Sequence, residues 1–153
     1  MSDDSLLRPG RRVLHVCFCC NDTEPVMDLL VGRLGMRNTM TSPMQTEPGE
    51  ILGFDRDVIN AAAFVYDGRG PRTSPAIEVQ SWEDPPLVGT AQADPLSIGL
   101  QAVGVAVADP GATARELVGA GCAVVGSGAS PLGPWWTVPV SYTHLTLPTI
   151  LRV

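Results

Sequence analysis

Apolar positions crowd two stretches of the chain in the same way. His15-Val16-Cys17-Phe18-Cys19-Cys20-Asn21-Asp22 is a largely apolar run that ends in Asp, and Ala102-Val103-Gly104-Val105-Ala106-Val107-Ala108-Asp109 repeats the pattern 87 residues later. At the same offset Leu30-Val31-Gly32 recurs as Leu117-Val118-Gly119 without a gap. Self-similarity at a fixed offset points to an internal duplication. Each copy opens with a strand, over 13–20 and 100–107, rich in apolar and β-branched residues and followed by a turn signal. Each strand feeds a helix. Asp22 or Thr23 can cap the first, Pro25 is tolerated in its opening turn, and Val26, Leu29 and Leu30 form one apolar face. Gly35 is placed to end it. Asp109-Pro110 starts the second helix, Leu117 and Val118 supply its apolar face, and Gly121 closes it.

Three strands are predicted after the first helix, over 37–42, 61–66 and 76–82, with Asp67-Gly68-Arg69-Gly70-Pro71-Arg72 as a turn-rich loop between the last two. In the second copy Ala123 to Gly126 and Trp135 to Val138 are strand candidates. The expected architecture is α+β, two tandem βαβββ modules, the second cut short. The first module covers residues 12–84, a proline-bounded linker 85–97, and the incomplete second module 98–139.

Residues 140–153 do not continue the pattern. Val140-Ser141-Tyr142-Thr143-His144-Leu145-Thr146-Leu147-Pro148-Thr149 resembles, over ten consecutive residues, the in-frame translation of a transposase-type sequencing adapter. The resemblance implies a non-native tail that displaces the last strand of the second module, so His144 is set aside as a ligand.

Composition narrows the partners. The net charge is −6 and lysine is absent, which excludes a nucleic-acid surface built on clustered Lys and Arg. No apolar run reaches the length that spans a bilayer. The acidic start Met1-Ser2-Asp3-Asp4 has no apolar segment behind it, so a signal peptide is not expected and a cytoplasmic location is. Cys17, Cys19, Cys20 and Cys122 match neither a secreted disulfide framework nor paired Cys-x-x-Cys zinc spacing. Reduced, packed thiols are the reading.

The βαβββ order in tandem, with His15-Val16 early in the first strand, then Asp22 through Leu29-Leu30 to Leu34-Gly35-Met36, and the late strand Ala76-Ile77-Glu78-Val79, resembles the vicinal oxygen chelate superfamily. That group includes glyoxalase I, bleomycin-resistance proteins and extradiol dioxygenases. The resemblance spans residues 12–139 and implies paired modules around a cup, a small-molecule ligand or substrate, and a homodimer. By position it makes His15 and Glu78 the metal ligands of the first module, for a divalent Fe, Mn, Zn or Ni ion. Such an ion would chelate neighbouring substrate oxygens as a Lewis acid. The second module departs from the pattern: Ala102 stands at the position equivalent to His15, and strand alternation turns the adjacent Gln101 to the opposite face.

Cys17 and Cys19 share a face with His15, and Gln80 and Trp82 share one with Glu78, so these four are the candidate substrate-binding residues. Each has a structural alternative. His15 can be a hydrogen-bonded strand histidine, Glu78 can reach solvent at a sheet edge, and the two cysteines can line an apolar pocket instead of serving as thiolates. Trp135 and Trp136 point to opposite faces, so one faces inward, for packing, a dimer contact or ligand stacking. Arg69 and Arg72 are solvated loop charges or contacts to an anionic substrate. The leading function is a metal-dependent dioxygenase, isomerase or lyase of glyoxalase type; the main alternative is a metal-free binding and sequestration protein of bleomycin-resistance type, and a third reading is a degenerate module that forms dimers within a larger assembly.

Overall fold

The computed structural model describes residues 13–88, 103–131, 133–142 and 145–152, with side chains through residue 137. The first module runs β1 (His15–Cys20), α1 (Glu24–Met27, continuing in π-helical form as Asp28–Arg33), β2 (Arg37–Glu47), a 3-10 turn (Glu50–Leu52), β3 (Val58–Tyr66) and β4 (Ala76–Asp84). The second runs β5 (Val103–Ala106), α2 (Pro110–Gly119), β6 (Gly126–Ser130), β7 (Gly133–Tyr142) and β8 (Leu145–Arg152). The sheet orders are β1-β4-β3-β2 and β5-β8-β7-β6, so the two modules share one topology. In each, the first strand pairs parallel with the last, and the last three strands are antiparallel. The expected α+β duplication is what the chain forms. Ala102 and Gln101 lie outside the described residues, as does most of the 85–97 linker.

The place of the final strand of the second module, between β5 and β7, is filled by β8 from within residues 140–153. Two strands also differ in extent from expectation. β2 continues through Pro43 to Glu47 because it is an edge strand whose register shifts between Ser42 and Gln45, which removes the need for a proline N–H in the ladder. β6 starts at Gly126 and not at Ala123. Its glycines suit the aromatic strand beside it: Gly128 pairs with Trp135, and a Cβ at Gly128 would sit 2.7 Å from Trp135 Cζ2. The valines Val124 and Val125 are left 40% and 64% exposed. Close approach by an indole outweighs their β-propensity.

The π-helical segment links the modules. Widening the turn sets residues five apart in register, so Arg33 Nε donates to Asp28 Oδ2 at 2.8 Å and the Leu34 N–H bonds the Leu29 carbonyl at 2.9 Å. Consecutive leucines then serve two cores. Leu30 joins Phe18, Cys20, Val26, Val65, Ile77 and Val79 under the first sheet, while Leu29 packs with Ala114 and Leu117 of α2. Gly35, at φ +66°, ends the helix in the left-handed region, and the Met36 N–H returns to the Leu30 carbonyl.

Both predicted aspartates bond the backbone at a helix start, Asp109 as the N-cap and Asp22 one place before the N-cap Thr23. Asp22 Oδ1 accepts the Glu24 N–H at 3.0 Å and Asp109 Oδ1 accepts the Ala112 N–H at 2.8 Å, whereas the Thr23 side chain makes no cap bond. Asp109→Ala is expected to lower unfolding free energy by about 1 kcal/mol, measured by urea denaturation. Asp109→Asn, which keeps the acceptor, should stay close to the parent protein.

Candidate functional site

The site is set by the register of the two central strands of the first module. β1 lies parallel to β4 with Cys17 opposite Glu78 and Cys19 opposite Gln80. Alternation sends Phe18, Cys20, Ile77 and Val79 into the core beneath the helix and leaves His15, Cys17, Cys19, Glu78, Gln80 and Trp82 on the other face. β3 adds Asn60, Ala62 and Phe64 to that face, paired with Trp82, Gln80 and Glu78 respectively. All six residues singled out in the sequence therefore share one surface.

His15 Nε2 stands 3.4 Å from Glu78 Oε2, with the histidine side chain 41% exposed and the carboxylate 12%. The His15 ring meets Phe64 edge-on, with centroids 5.9 Å apart. Phe64 thus orients the imidazole toward the carboxylate. The Cys17 thiol donates to Gln80 Oε1 at 3.2 Å, and the Cys19 sulfur lies 3.9 Å from the same oxygen. Trp82 closes the row, its ring tilted against Phe54 at 5.9 Å.

The thiols differ sharply in acidity. A hydrogen bond from Cys17 brings the Cys19 thiol down from the ordinary 9.0 to about 6; burial and the Glu78 charge oppose this, while the Trp82 N–H assists. The same hydrogen bond to Cys19, and then burial, push Cys17 well up. Burial, followed by the Cys19 charge, pushes Cys20 up to about 11. Trp82 Nε1 is buried without a hydrogen-bond partner of good geometry, so its support of Cys19 is a dipole near a thiolate and weaker than a formed bond. Asn60 Nδ2, on the paired residue, is likewise buried and unpartnered.

Asn60, Phe64 and Phe54 are the neighbours that sequence reasoning missed. Asn60 carried a signal: a polar residue within Val58-Ile59-Asn60-Ala61-Ala62-Ala63, two places before Ala62 and four before Phe64 on one strand face. Arg69, a candidate anion contact, is tied to Asp67, with Nη2 2.6 Å from Oδ2. Trp136 faces inward, packed against the Leu29–Leu117 cluster, while Trp135 lies over the glycines of β6. A cavity of about 160 Å³ lined by Thr23, Met27, Ser42, Ala61 and Ser81 includes none of the six site residues.

A divalent metal of the kind expected takes at least three protein donors. His15 and Glu78 offer one imidazole and one carboxylate, and no group of three or more His, Cys, Asp or Glu suited to a metal occurs among the described residues. The β8 position in register with Gly104, equivalent to Glu78 opposite Cys17, is Ile150, which has no ligating atom. The residues present do not fit such an ion.

No family model matches the sequence, and no curated protein matches it. Solved structures do match in fold. A glyoxalase family protein from Bacillus cereus superposes with a TM-score of 0.74 at 13% identity, covering 100% of this chain and 99% of that one. The trypanothione-dependent glyoxalase I of Leishmania major gives 0.64 at 15% identity, with 94% and 86% covered. The fosfomycin resistance protein FosX from Mesorhizobium loti gives 0.58 at 14% identity, with 94% and 92% covered. A glyoxalase/bleomycin-resistance/dioxygenase domain from Frankia gives 0.65 at 14% identity, with 95% and 98% covered. At such identities the likeness is one of architecture: the chain has the fold of glyoxalase-family structures.

Proposed function

We propose that the chain binds and sequesters a small organic molecule on this face of its first module without a metal. The observation that carries this reading is the donor set: an imidazole and a carboxylate 3.4 Å apart that belong to no group of three or more metal-suited side chains among the described residues. Those groups serve recognition well. A carboxylate that is 12% exposed accepts strong hydrogen bonds from ligand O–H or N–H groups because few waters compete for it. His15 offers a second polar contact, the Gln80 amide a third, and Trp82 with Phe54 an aromatic wall. Few polar groups among apolar walls is the usual make-up of a small-molecule site. A fosfomycin resistance protein is among the structural neighbours of this fold.

The experiment is a fluorescence titration of chelator-treated full chain against a panel of aromatic and oxygen-rich compounds. A compound that quenches with saturation should lose about 1–3 kcal/mol of affinity, roughly five- to 150-fold, in Glu78→Gln, and Trp82→Phe should remove most of the signal. A second reading, a divalent-metal dioxygenase, isomerase or lyase, is favoured by the closeness of His15 to Glu78. It requires about one ion per chain that survives dialysis and is lost in both His15→Ala and Glu78→Ala. That result would overturn the metal-free reading.

The same proposal holds residues 140–153 to be non-native. Long-read sequencing of the source gene across Pro139 decides it. A frame running on into a strand with Glu at the register of Ile150 would restore a third donor, and the metal reading would then take precedence.

A further inference from the structure

The second cluster on this face is the pair of thiols. We propose that Cys17 and Cys19 form a two-coordinate site for a soft monovalent cation of the Cu(I) class. Both side chains leave β1 on one face, and both sulfurs lie near a single atom, Gln80 Oε1, at 3.2 and 3.9 Å. Cys17 is exposed and Cys19 partly so, which gives an ion access from solvent. Cys20 is excluded: it turns into the core, and its thiol donates to the Gln80 carbonyl at 3.5 Å.

Strand geometry decides between a bridge of sulfur alone and a bridge through a metal. Residues two apart on an extended strand have Cα atoms roughly 6.4–6.8 Å apart, the upper limit of what a disulfide tolerates without backbone movement. An intervening ion adds two metal–sulfur bonds of about 2.3 Å each, so the pair can hold a cation while the β1–β4 ladder stays intact. Thiolate sulfur selects Cu(I) over harder ions. Linear coordination needs no third donor, which accords with the absence of a three-donor group among the described residues. On binding, the two S–Cu bonds replace whatever S–H bonds the pair still holds. Those protons pass to buffer, and copper enters and stays as Cu(I), so no electrons move.

The test is anaerobic transfer of Cu(I) from its bicinchoninate complex to the full chain, followed by loss of the complex's visible colour. The parent protein should withdraw about one copper per chain, and X-ray absorption should show two sulfur neighbours. Cys17→Ser and Cys19→Ser should each abolish withdrawal, while Cys20→Ser and Cys122→Ser should retain it. Should Cys19→Ser fail to fold, the exposed Cys17→Ser carries the test. No transfer to the parent protein, or full retention in Cys17→Ser, overturns the proposal. The ligand titration above runs without copper, so either proposal can fail alone.

Discussion

Leu117→Ala is expected to lower the unfolding free energy by about 2–5 kcal/mol. Leu117 is fully buried, and around it stand Leu29 at 6% and Ala114 at 3% exposure, with Leu34, Val107, Cys122 and Trp136 packed at the rim. Removing most of its side chain leaves a void between two helices whose nearest partner, Ala114, has no length to fill it. Collapse would have to move a helix, and packed interiors resist that. For a domain whose total stability is of order 5–15 kcal/mol, the loss is a large fraction. Thermal melting should fall by roughly 4–20 °C, since each kcal/mol shifts a domain of this size by about 2–4 °C. The neighbouring Val118→Ala, at a position 49% exposed, should change stability far less. Because this cluster joins the modules, the parent protein should melt in one transition. Separate transitions, or equal small effects of the two substitutions, would show that the modules do not depend on this contact.

What was legible in the sequence was the part governed by local rules repeated twice. Asp109 caps its helix and Asp22 bonds the backbone just before the other, and the alternation in Ala76-Ile77-Glu78-Val79 fixes which face each residue takes. The order of strands around the helix follows from those elements. The π-helical turn was not legible, because Val26, Leu29 and Leu30 fit a 3.6-residue period as well as they fit the wider turn. Only the presence of two cores, one for each leucine, separates the choices. The extents of β2 and β6 differ from the expected 37–42 and 123–126 for a related reason. Propensity speaks for isolated strands, while an edge position and a facing indole are facts about the neighbour. In the site, the polar residues of β1 and β4 could be placed on a shared face, but the 3.4 Å approach of His15 to Glu78 depends on parallel register across about sixty intervening residues. Asn60 and Phe64 depend on a second register, that of β3 on β4.

Alkylation of Cys19 by iodoacetamide is expected to follow a titration midpoint near pH 6 in place of the ordinary 9.0. The sign follows from the charge: the thiolate is the nucleophile, so the rate rises with pH through the midpoint and levels off by about pH 8. A lower pKa also makes a weaker nucleophile, with a Brønsted slope of about 0.4–0.5. At pH 6 roughly half of Cys19 is thiolate against about 0.1% of an ordinary thiol. Discounting by the slope leaves a net advantage of about 15–30-fold over an ordinary thiol of equal access. By pH 7 the advantage shrinks to about 3–6-fold, so the acid side of the profile is where the effect is read. Partial burial lowers the rate at every pH alike and leaves the midpoint unmoved. The largest cause is the Cys17 hydrogen bond, so Cys17→Ala should carry the midpoint upward. Cys17→Ser, which keeps a donor, should leave it close to 6. Trp82→Phe should raise it by less, because the indole acts only as a nearby dipole. Site-resolved mass spectrometry of the alkylated chain from pH 5 to 10 provides the measurement. A Cys19 midpoint near 9 in the parent protein would mean that the two sulfurs do not share a proton. The contrast between variants also separates acidity from chelation: Cys17→Ser should keep the low midpoint and yet lose Cu(I), since a hydroxyl donates to a thiolate but does not replace sulfur as a ligand to a soft ion.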